Sequence, residues 1–135
     1  MNRLLADTSG LYALLNGRDA AHSRARQYYL SLPRQTEIII IEYVLIETMT
    51  LLRARGFTSL AVRFRDALSK STIFSLRYSS PELEAMTYAI FRQYQDKQWS
   101  YVDCAILAAA QALDIQLVFS LDHHIEQMGL KRVPD

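Results

Sequence analysis

Residues 99–110, W-S-Y-V-D-C-A-I-L-A-A-A, predict a helix that is buried on nearly all sides. After Ser100 the apolar residues recur at helical spacing, and every position from 104 to 110 is apolar or small. A helix with almost no polar face belongs at the centre of a fold, and its alanines would let it pack closely against a sheet. We therefore expect this helix to be the central one of the fold.

One carboxylate, Asp103, stands in the first turn of this helix, and two interpretations of it compete. With Ser100 as the N-cap, Asp103 occupies the third helical position, and its side chain would reach back to a backbone N–H in a capping box. However, Glu and Gln are the usual residues at that position, and a carboxylate beside a buried helix is costly unless something pairs with it. A structural role and a functional role for Asp103 both stay open on this stretch alone.

Composition bounds the class of protein. The 135 residues are 50% hydrophobic, which suits one globular domain over residues 1–135. The formal net charge is +1, so the overall electrostatic field of the chain does not indicate a charged binding partner. Six of the 15 basic residues nevertheless lie between positions 53 and 77, where Asp66 is the one acid. This basic segment suggests contact with a polyanion, although a solvated helix face is the simpler explanation.

The single cysteine and the lack of long apolar runs narrow the class further. Cys104 alone allows neither an internal disulfide nor a zinc site built on cysteines. No apolar run reaches the roughly 18 residues of a membrane span, and the first residues lack the pattern of a signal peptide. We therefore expect a cytoplasmic protein that has no contact with a membrane.

Short apolar runs and helical patterns alternate along the chain. The strongest strand signal is Ile38-Ile39-Ile40-Ile41, a β-branched run typical of buried parallel strands. Further strands are predicted at 4–6, 73–75, 117–119 and around 132–133. Helices are predicted at 11–15, 20–32, 43–55, 58–69, 81–94, 101–113 and 123–128. This alternation predicts an α/β fold, with a parallel sheet and helices on both of its faces.

Four acids occupy related places in this arrangement. Asp7 and Asp122 each follow a predicted strand. Asp103 opens the central helix, and Glu47 lies near the start of the helix after the isoleucine strand. Strand ends and the starts of the following helices share the side of a parallel sheet where α/β proteins bind ligands. Carboxylates gathered there would repel one another, and Mg²⁺ or Mn²⁺ would relieve that repulsion and support phosphodiester hydrolysis.

The chain resembles a PIN domain, and within that superfamily it is similar to the small VapC-type toxin ribonucleases. Four segments carry the resemblance: L-L-A-D-T-S at 4–9, Y-V-L-I-E-T-M-T-L-L at 43–52, S-Y-V-D-C-A at 100–105 and F-S-L-D at 119–122. Each motif alone is weak, whereas the four in the same order and spacing are specific.

The resemblance implies a PIN-like, Rossmann-like three-layer sheet and a Mg²⁺-dependent endoribonuclease, with Mn²⁺ as an alternative cofactor. Asp7, Asp103 and Asp122 would hold the metal, and Glu47 would complete the catalytic set by holding or activating a water molecule. The residues that would support these acids through hydrogen bonds are Thr8, Ser9, Ser100 and Ser120.

The resemblance also implies partners: an RNA substrate, a cognate antitoxin of a type II toxin–antitoxin pair, and a second copy of the chain. A homodimer would also account for apolar residues beyond those that one small sheet needs, namely Ala61, Val62, Phe64 and Leu68.

Several neighbours of the four acids keep open roles. Glu42 adds a fifth acid where many relatives carry Asn or Ser. His123 and His124 adjoin the last acid, but exposed loop histidines are more common than ligands, so we assign them no role. Trp99 and Tyr101 lie just before the central acid and would either stack on unpaired bases or pack in the core or at its rim, and packing is favoured.

Two alternatives belong to other functional classes. A catalytically silent PIN scaffold would only bind RNA or protein, and the intact set of acids argues against it. A receiver-like signalling domain also has acids at strand ends, but it needs paired acids after the first strand and a lysine after a late one. Here Thr8 follows Asp7, and no lysine lies near Asp122.

Overall fold

The computed structural model describes residues 2–135 and is built on one five-stranded sheet in the order β3-β2-β1-β4-β5. Every pair of neighbouring strands is parallel. The strands are β1 (Arg3–Ala6), β2 (Glu37–Ile41), β3 (Phe74–Arg77), β4 (Leu117–Phe119) and β5 (Lys131–Val133). The predicted parallel sheet is therefore confirmed.

Seven helices connect the strands within the described residues. They are α1 (Thr8–Leu15), α2 (His22–Ser31), α3 (Glu42–Ala54), α4 (Thr58–Leu68), α5 (Pro81–Gln93), α6 (Tyr101–Leu113) and α7 (His124–Gln127). The chain steps outward from β1 to β3 and then crosses back to β4 and β5. Because β-α-β crossovers are right-handed, α1–α4 cover one face and α5–α7 the other, as the three-layer prediction requires. Among residues 2–135, no helix combines the length and apolar character that a membrane crossing demands.

The core lies on both sides of the central strands. The side chains of Leu4, Leu5 and the isoleucine run of β2 are at most 2% exposed. On the second face, α6 is buried at every position from 103 to 110. The predicted central helix is thus confirmed by its burial.

Three predicted boundaries differ from those in the structure by two residues or more. Helix α1 begins at Thr8 rather than at position 11, because the Asp7 carboxylate accepts a hydrogen bond from the Thr8 N–H and caps the helix. Helix α2 begins later than position 20, after a turn in which the Asp19 carboxylate accepts the Ala21 N–H. Strand β3 extends to position 77 rather than 75, because it pairs with β2 as far as that strand's last residue.

The apolar residues of α4 that suggested a dimer surface are mostly part of the core. Ala61, Phe64 and Leu68 are buried within the chain, and only Val62 is exposed. The Phe64 ring packs edge-on against the ring of Phe74 in β3, with 6.2 Å between their centroids. The inference that these residues exceed the needs of the sheet was therefore wrong for Ala61, Phe64 and Leu68.

Gly10 sets how closely α1 approaches the end of β4. A Cβ atom on Gly10 would lie 2.3 Å from the Phe119 carbonyl oxygen and 2.8 Å from the carbonyl carbon. Both are backbone atoms, so no side-chain rotation would relieve the contact. A residue larger than glycine must therefore push α1 and β4 apart at the carboxyl edge of the sheet.

We expect Gly10→Ala to destabilise the fold by about 1–3 kcal/mol, the usual cost of forcing an extra methyl group into a packed interior. Gly17→Ala is the matched control, because a Cβ atom there would meet only the His22 Nε2 atom, at 4.0 Å. Urea unfolding followed by circular dichroism measures both variants. Equal free energies of unfolding for the two variants would contradict the close-approach argument.

Candidate active site

Three of the four predicted acids meet where β1 and β4 end. Asp7 directly follows β1, Asp122 lies in the loop after β4, and Asp103 stands in the first turn of α6. The negative charges of Asp103 and Asp122 both act on the Asp7 carboxyl group. Asp7 and Asp103 are only 4% and 5% exposed. The chain leaves β1 and β4 toward opposite sides of the sheet, and such a switch point is where α/β proteins form a ligand crevice.

The Asp7 carboxylate is held by three hydrogen-bond donors. Its Oδ1 atom accepts the Thr8 backbone N–H at 2.8 Å. Its Oδ2 atom accepts the Ser120 hydroxyl at 2.8 Å, and the Ser9 hydroxyl lies 3.4 Å from the same oxygen. The predicted supporting residues around Asp7 are therefore all in contact with it, Thr8 through its backbone.

The same two serines also organise the loop that carries Asp122. The Ser9 hydroxyl oxygen accepts the Leu121 N–H at 2.9 Å, and the Ser120 hydroxyl oxygen accepts the Asp122 N–H at 2.9 Å. The two hydroxyl oxygens are 3.2 Å apart. Each serine thus joins the carboxylate after β1 to the backbone after β4, which fixes Asp7 and Asp122 relative to each other.

Burial makes the charge on Asp7 unfavourable. It raises the pKa of Asp7 from 3.8 to about 6, and the charges of Asp103 and Asp122 push the pKa in the same direction. The hydrogen bonds from Ser120 and Thr8 act the other way and lower that pKa. A cation in the crevice would favour the ionised carboxylate, because an adjacent positive charge offsets both burial and repulsion.

Asp103 forms the predicted capping box. Its backbone N–H donates to the Ser100 hydroxyl oxygen at 3.0 Å, and its Oδ2 atom accepts the Ser100 N–H at 2.9 Å. The same Oδ2 atom lies 3.1 Å from Nδ1 of His124, whereas no hydrogen bond from residues 2–135 reaches Oδ1. Capping and a place in the acidic cluster are therefore compatible, because the cap orients the carboxylate toward Asp122 and His124.

His124, to which the sequence analysis assigned no role, lies beside these acids. Its Nδ1 atom is 3.6 Å from Asp122 Oδ1, and that oxygen also accepts the His124 backbone N–H at 2.9 Å. Asp103, Asp122 and His124 each offer a ligand atom within 4.8 Å of the others. His123 instead is 85% exposed and lies 3.7 Å from Glu126, so it has the expected character of an exposed loop histidine. The available signal for His124 was its position two residues after an acid at the start of a helix.

Two further acids make no hydrogen bond to the side chains of this cluster. Glu47 is exposed on the second turn of α3, and no hydrogen bond or ion pair to its side chain occurs within the described part of the chain. Glu42 is half-buried, and its Oε1 atom accepts the Ser79 N–H at 3.0 Å. Glu42 therefore joins the start of α3 to the loop after β3, so this fifth acid has a structural contact.

Aromatic residues beside α6 are held by specific partners. Trp99 is buried, and its Nε1–H donates to the Gln127 side-chain oxygen at 3.0 Å, as the packing interpretation predicts. The Tyr101 hydroxyl donates to Glu84 at 2.6 Å, and the Tyr43 hydroxyl donates to the same carboxylate. The hydrogen bond to Glu84 raises the pKa of Tyr101 to about 12. This contact ties α5 to the starts of α3 and α6 at the rim of the crevice.

Members of the basic segment at 53–77 also make contacts within the chain. The Arg55 guanidinium lies 5.0 Å from the centroid of the Tyr12 ring, and Arg77 lies 3.7 Å from Glu37. These contacts give two of the six cations a structural role. Contact of this segment with a polyanion stays a prediction.

The fold and the site together define a parallel α/β domain with an acidic crevice at its switch point. The chain belongs to the PIN domain family, whose model matches residues 4–131. Over 130 residues it is 28% identical to the 23S rRNA-specific endonuclease VapC20 of Mycobacterium tuberculosis. The aligned region covers 96% of this chain and 97% of that relative.

Solved structures show the same similarity. The crystal structure of Mycobacterium tuberculosis VapC20, described as a sarcin-ricin loop cleaving toxin, superimposes with a TM-score of 0.87 at 27% identity. That match covers 95% of this chain and 96% of the toxin. A toxin–antitoxin complex from Klebsiella pneumoniae matches with a TM-score of 0.61 at 25% identity, over 85% of this chain and 82% of the matched one.

We expect Asp7→Asn to stabilise the metal-free protein at neutral pH. The folded-state pKa of about 6 exceeds the ordinary 3.8, so between these pH values the folded state binds more protons than the unfolded state. Stability must then fall as the pH rises through this window. Asparagine carries no charge and so avoids this loss of folding stability, which in the wild type amounts to about 2–3 kcal/mol above pH 6.

Urea unfolding in EDTA across this pH window measures the effect. The stability difference between Asp7→Asn and the wild type should be small near the lower pKa and should grow until the pH passes the upper one. Asp66→Asn, on the exposed side of α4, is the control for removing one carboxylate outside the crevice. A difference that does not change with pH would show that burial of the Asp7 charge is not its origin.

Proposed function

We propose that this chain is a metal-dependent endoribonuclease and the toxin of a type II toxin–antitoxin pair. The observation that carries the proposal is the meeting of a buried Asp7 with Asp103 and Asp122 at the switch point of a PIN fold. A relative that is similar over nearly the whole chain is a 23S rRNA-specific endonuclease. Ribosomal RNA is therefore the first substrate to test, and a ribosomal substrate supports the proposal that the chain acts in the cytoplasm.

The donor set in the crevice fits Mg²⁺ or Mn²⁺. Carboxylate oxygens are the ligands that these cations prefer. The pKa of Asp7 is raised mainly by burial and further by the charges of Asp103 and Asp122, and a cation would offset both effects. We assign the binding of the metal to Asp7, Asp103 and Asp122. When bound, the cation would activate a water molecule for attack on the phosphate and stabilise the departing oxygen.

The residues around these acids would keep them ionised and correctly oriented. Hydrogen bonds from Ser120 and Thr8 lower the pKa of Asp7, so both donors favour the charged form that a cation needs. The Ser100 capping box holds the Asp103 carboxylate in place before any ligand arrives. Glu47, near the start of α3 and without a partner in residues 2–135, is the acid we assign to positioning the attacking water and taking its proton.

Replacing Asp103 tests this function. Asp103→Asn keeps an acceptor oxygen for the Ser100 N–H, so stability should change by no more than about 1 kcal/mol, the typical value of a cap. Cleavage of 23S rRNA should fall by several orders of magnitude, because one metal-binding charge is lost. Glu82→Gln, exposed on α5, makes the same change of charge outside the crevice and should cleave at the wild-type rate.

The dependence of the wild-type chain on a divalent cation is tested in parallel. EDTA should abolish cleavage, and Mg²⁺ or Mn²⁺ at 100 times its Kd should stabilise the fold by about 2.7 kcal/mol. Single-turnover cleavage and thermal unfolding are the two measurements. Cleavage that persists in EDTA, or an Asp103→Asn variant with normal specific activity, would refute the metal-dependent mechanism.

We propose two protein partners, a cognate antitoxin and a second copy of this chain. The match to a chain from a toxin–antitoxin complex supports the first. Large apolar side chains on the surface, which an association would cover, support the second. They are Leu30, Ile46, Val62, Tyr78, Tyr88 and Phe91.

For the homodimer, light scattering at micromolar concentration should report twice the 15.5 kDa mass of one chain. Burial of apolar surface between two copies is the driving force, so dilution should eventually release the monomer. A mass of one chain across the whole concentration series would contradict the dimer.

A further inference from the structure

We infer that His124 is a nitrogen ligand of the cation in this crevice and shifts the preference of the site from Mg²⁺ toward Mn²⁺. This inference rests on the proposed function and concerns a residue that the sequence resemblance does not assign. It starts from the position of the His124 ring, whose Nδ1 atom faces one oxygen each of Asp103 and Asp122.

The distances suit a common cation. Nδ1 lies 3.1 Å from Asp103 Oδ2, and the ligand atoms of His124, Asp103 and Asp122 all fall within 4.8 Å of one another. Adjacent ligands of an octahedral cation, each at about 2.1 Å from it, are roughly 3 Å apart. The three groups therefore already stand near the mutual separation that shared coordination requires.

The backbone holds the ring in this position. The Asp122 Oδ1 atom accepts the His124 N–H at 2.9 Å, which ties the two residues into one turn at the start of α7. The adjacent Ile125 is fully buried and fixes this turn to the core. The His124 side chain is 31% exposed, so its ring is largely covered by the chain and still touches solvent.

The chemistry of imidazole determines the expected metal preference. A neutral ring that carries its proton on Nε2 presents the Nδ1 lone pair to the carboxylate oxygens. Imidazole nitrogen is a common ligand of first-row transition cations, whereas Mg²⁺ strongly prefers oxygen and retains its water. A nitrogen donor added to the aspartates should therefore strengthen the binding of Mn²⁺ more than that of Mg²⁺.

Electron paramagnetic resonance of Mn²⁺ with the full chain tests the inference without RNA cleavage. The loss of the free-ion signal gives the Kd for Mn²⁺, and pulsed measurements detect coupling to a directly bound nitrogen. We expect nitrogen coupling in the wild type and its disappearance in His124→Ala. That variant should bind Mn²⁺ about tenfold or more weakly. Its Kd for Mg²⁺, measured by competition, should change by less than about threefold.

Two further variants separate a ligand from a structural contact. His123→Ala removes the neighbouring imidazole, which faces Glu126 outside the crevice, and should leave both the coupling and the Kd unchanged. His124→Gln keeps an N–H donor for Asp103 but supplies no imidazole. If His124 only supports Asp103 through a hydrogen bond, His124→Gln will behave as the wild type does, and the inference is then overturned.

The wild-type spectra alone separate this inference from the function on which it rests. Bound Mn²⁺ without nitrogen coupling would overturn the role of His124 and leave the carboxylate site intact. A wild-type chain that binds no Mn²⁺ and no Mg²⁺ would overturn the metal-dependent function itself. Coupling that persists in His124→Ala would also overturn the inference, because another nitrogen would then be the ligand.

Discussion

The parallel pairing of β1 with β4 is the interaction on which the site depends. Leu5 pairs with Val118 and Ala6 with Phe119, so the two strands end side by side. The Asp7 N–H donates to the Phe119 carbonyl oxygen at 2.9 Å and continues the ladder for one more step. Asp7 and the loop that carries Asp122 therefore leave the sheet together, although they are far apart in the sequence. Without this pairing, none of the serine contacts between them would form.

Asp103 shows how a structural contact and a proposed chemical role coincide in one side chain. The capping box orients the carboxylate through Ser100, and α6 is buried from Asp103 to Ala110. The acid therefore needs no additional contact to hold its place in the crevice. The capping interpretation is confirmed, and the functional role stays a proposal that the structure allows, because one carboxylate oxygen serves the cap and the other takes no hydrogen bond from the described residues.

The sheet, its helices and the meeting of three acids could be predicted because they follow from local patterns. Apolar runs mark the strands, and a residue that follows a parallel strand lies at the carboxyl edge whatever its partner is. The contacts of His124 and Glu42 could not be predicted in this way. His124 turns toward Asp103 because of a backbone bond to Asp122, and Glu42 reaches Ser79 in the loop after β3. Both depend on side-chain directions between segments that are distant in the sequence.

The order of the strands in the sheet differs from the order in which the ribosome makes them. β1, β2 and β3 are made first and can pair as a three-stranded unit, which leaves one edge of β1 open. β4, made much later, closes that edge and delivers Asp122 beside Asp7. An unfinished chain therefore holds Asp7 and Glu47 but has no crevice. For a nuclease proposed to act on ribosomal RNA, the three acids that are proposed to bind the metal can therefore meet only after β4 and the loop behind it have been made.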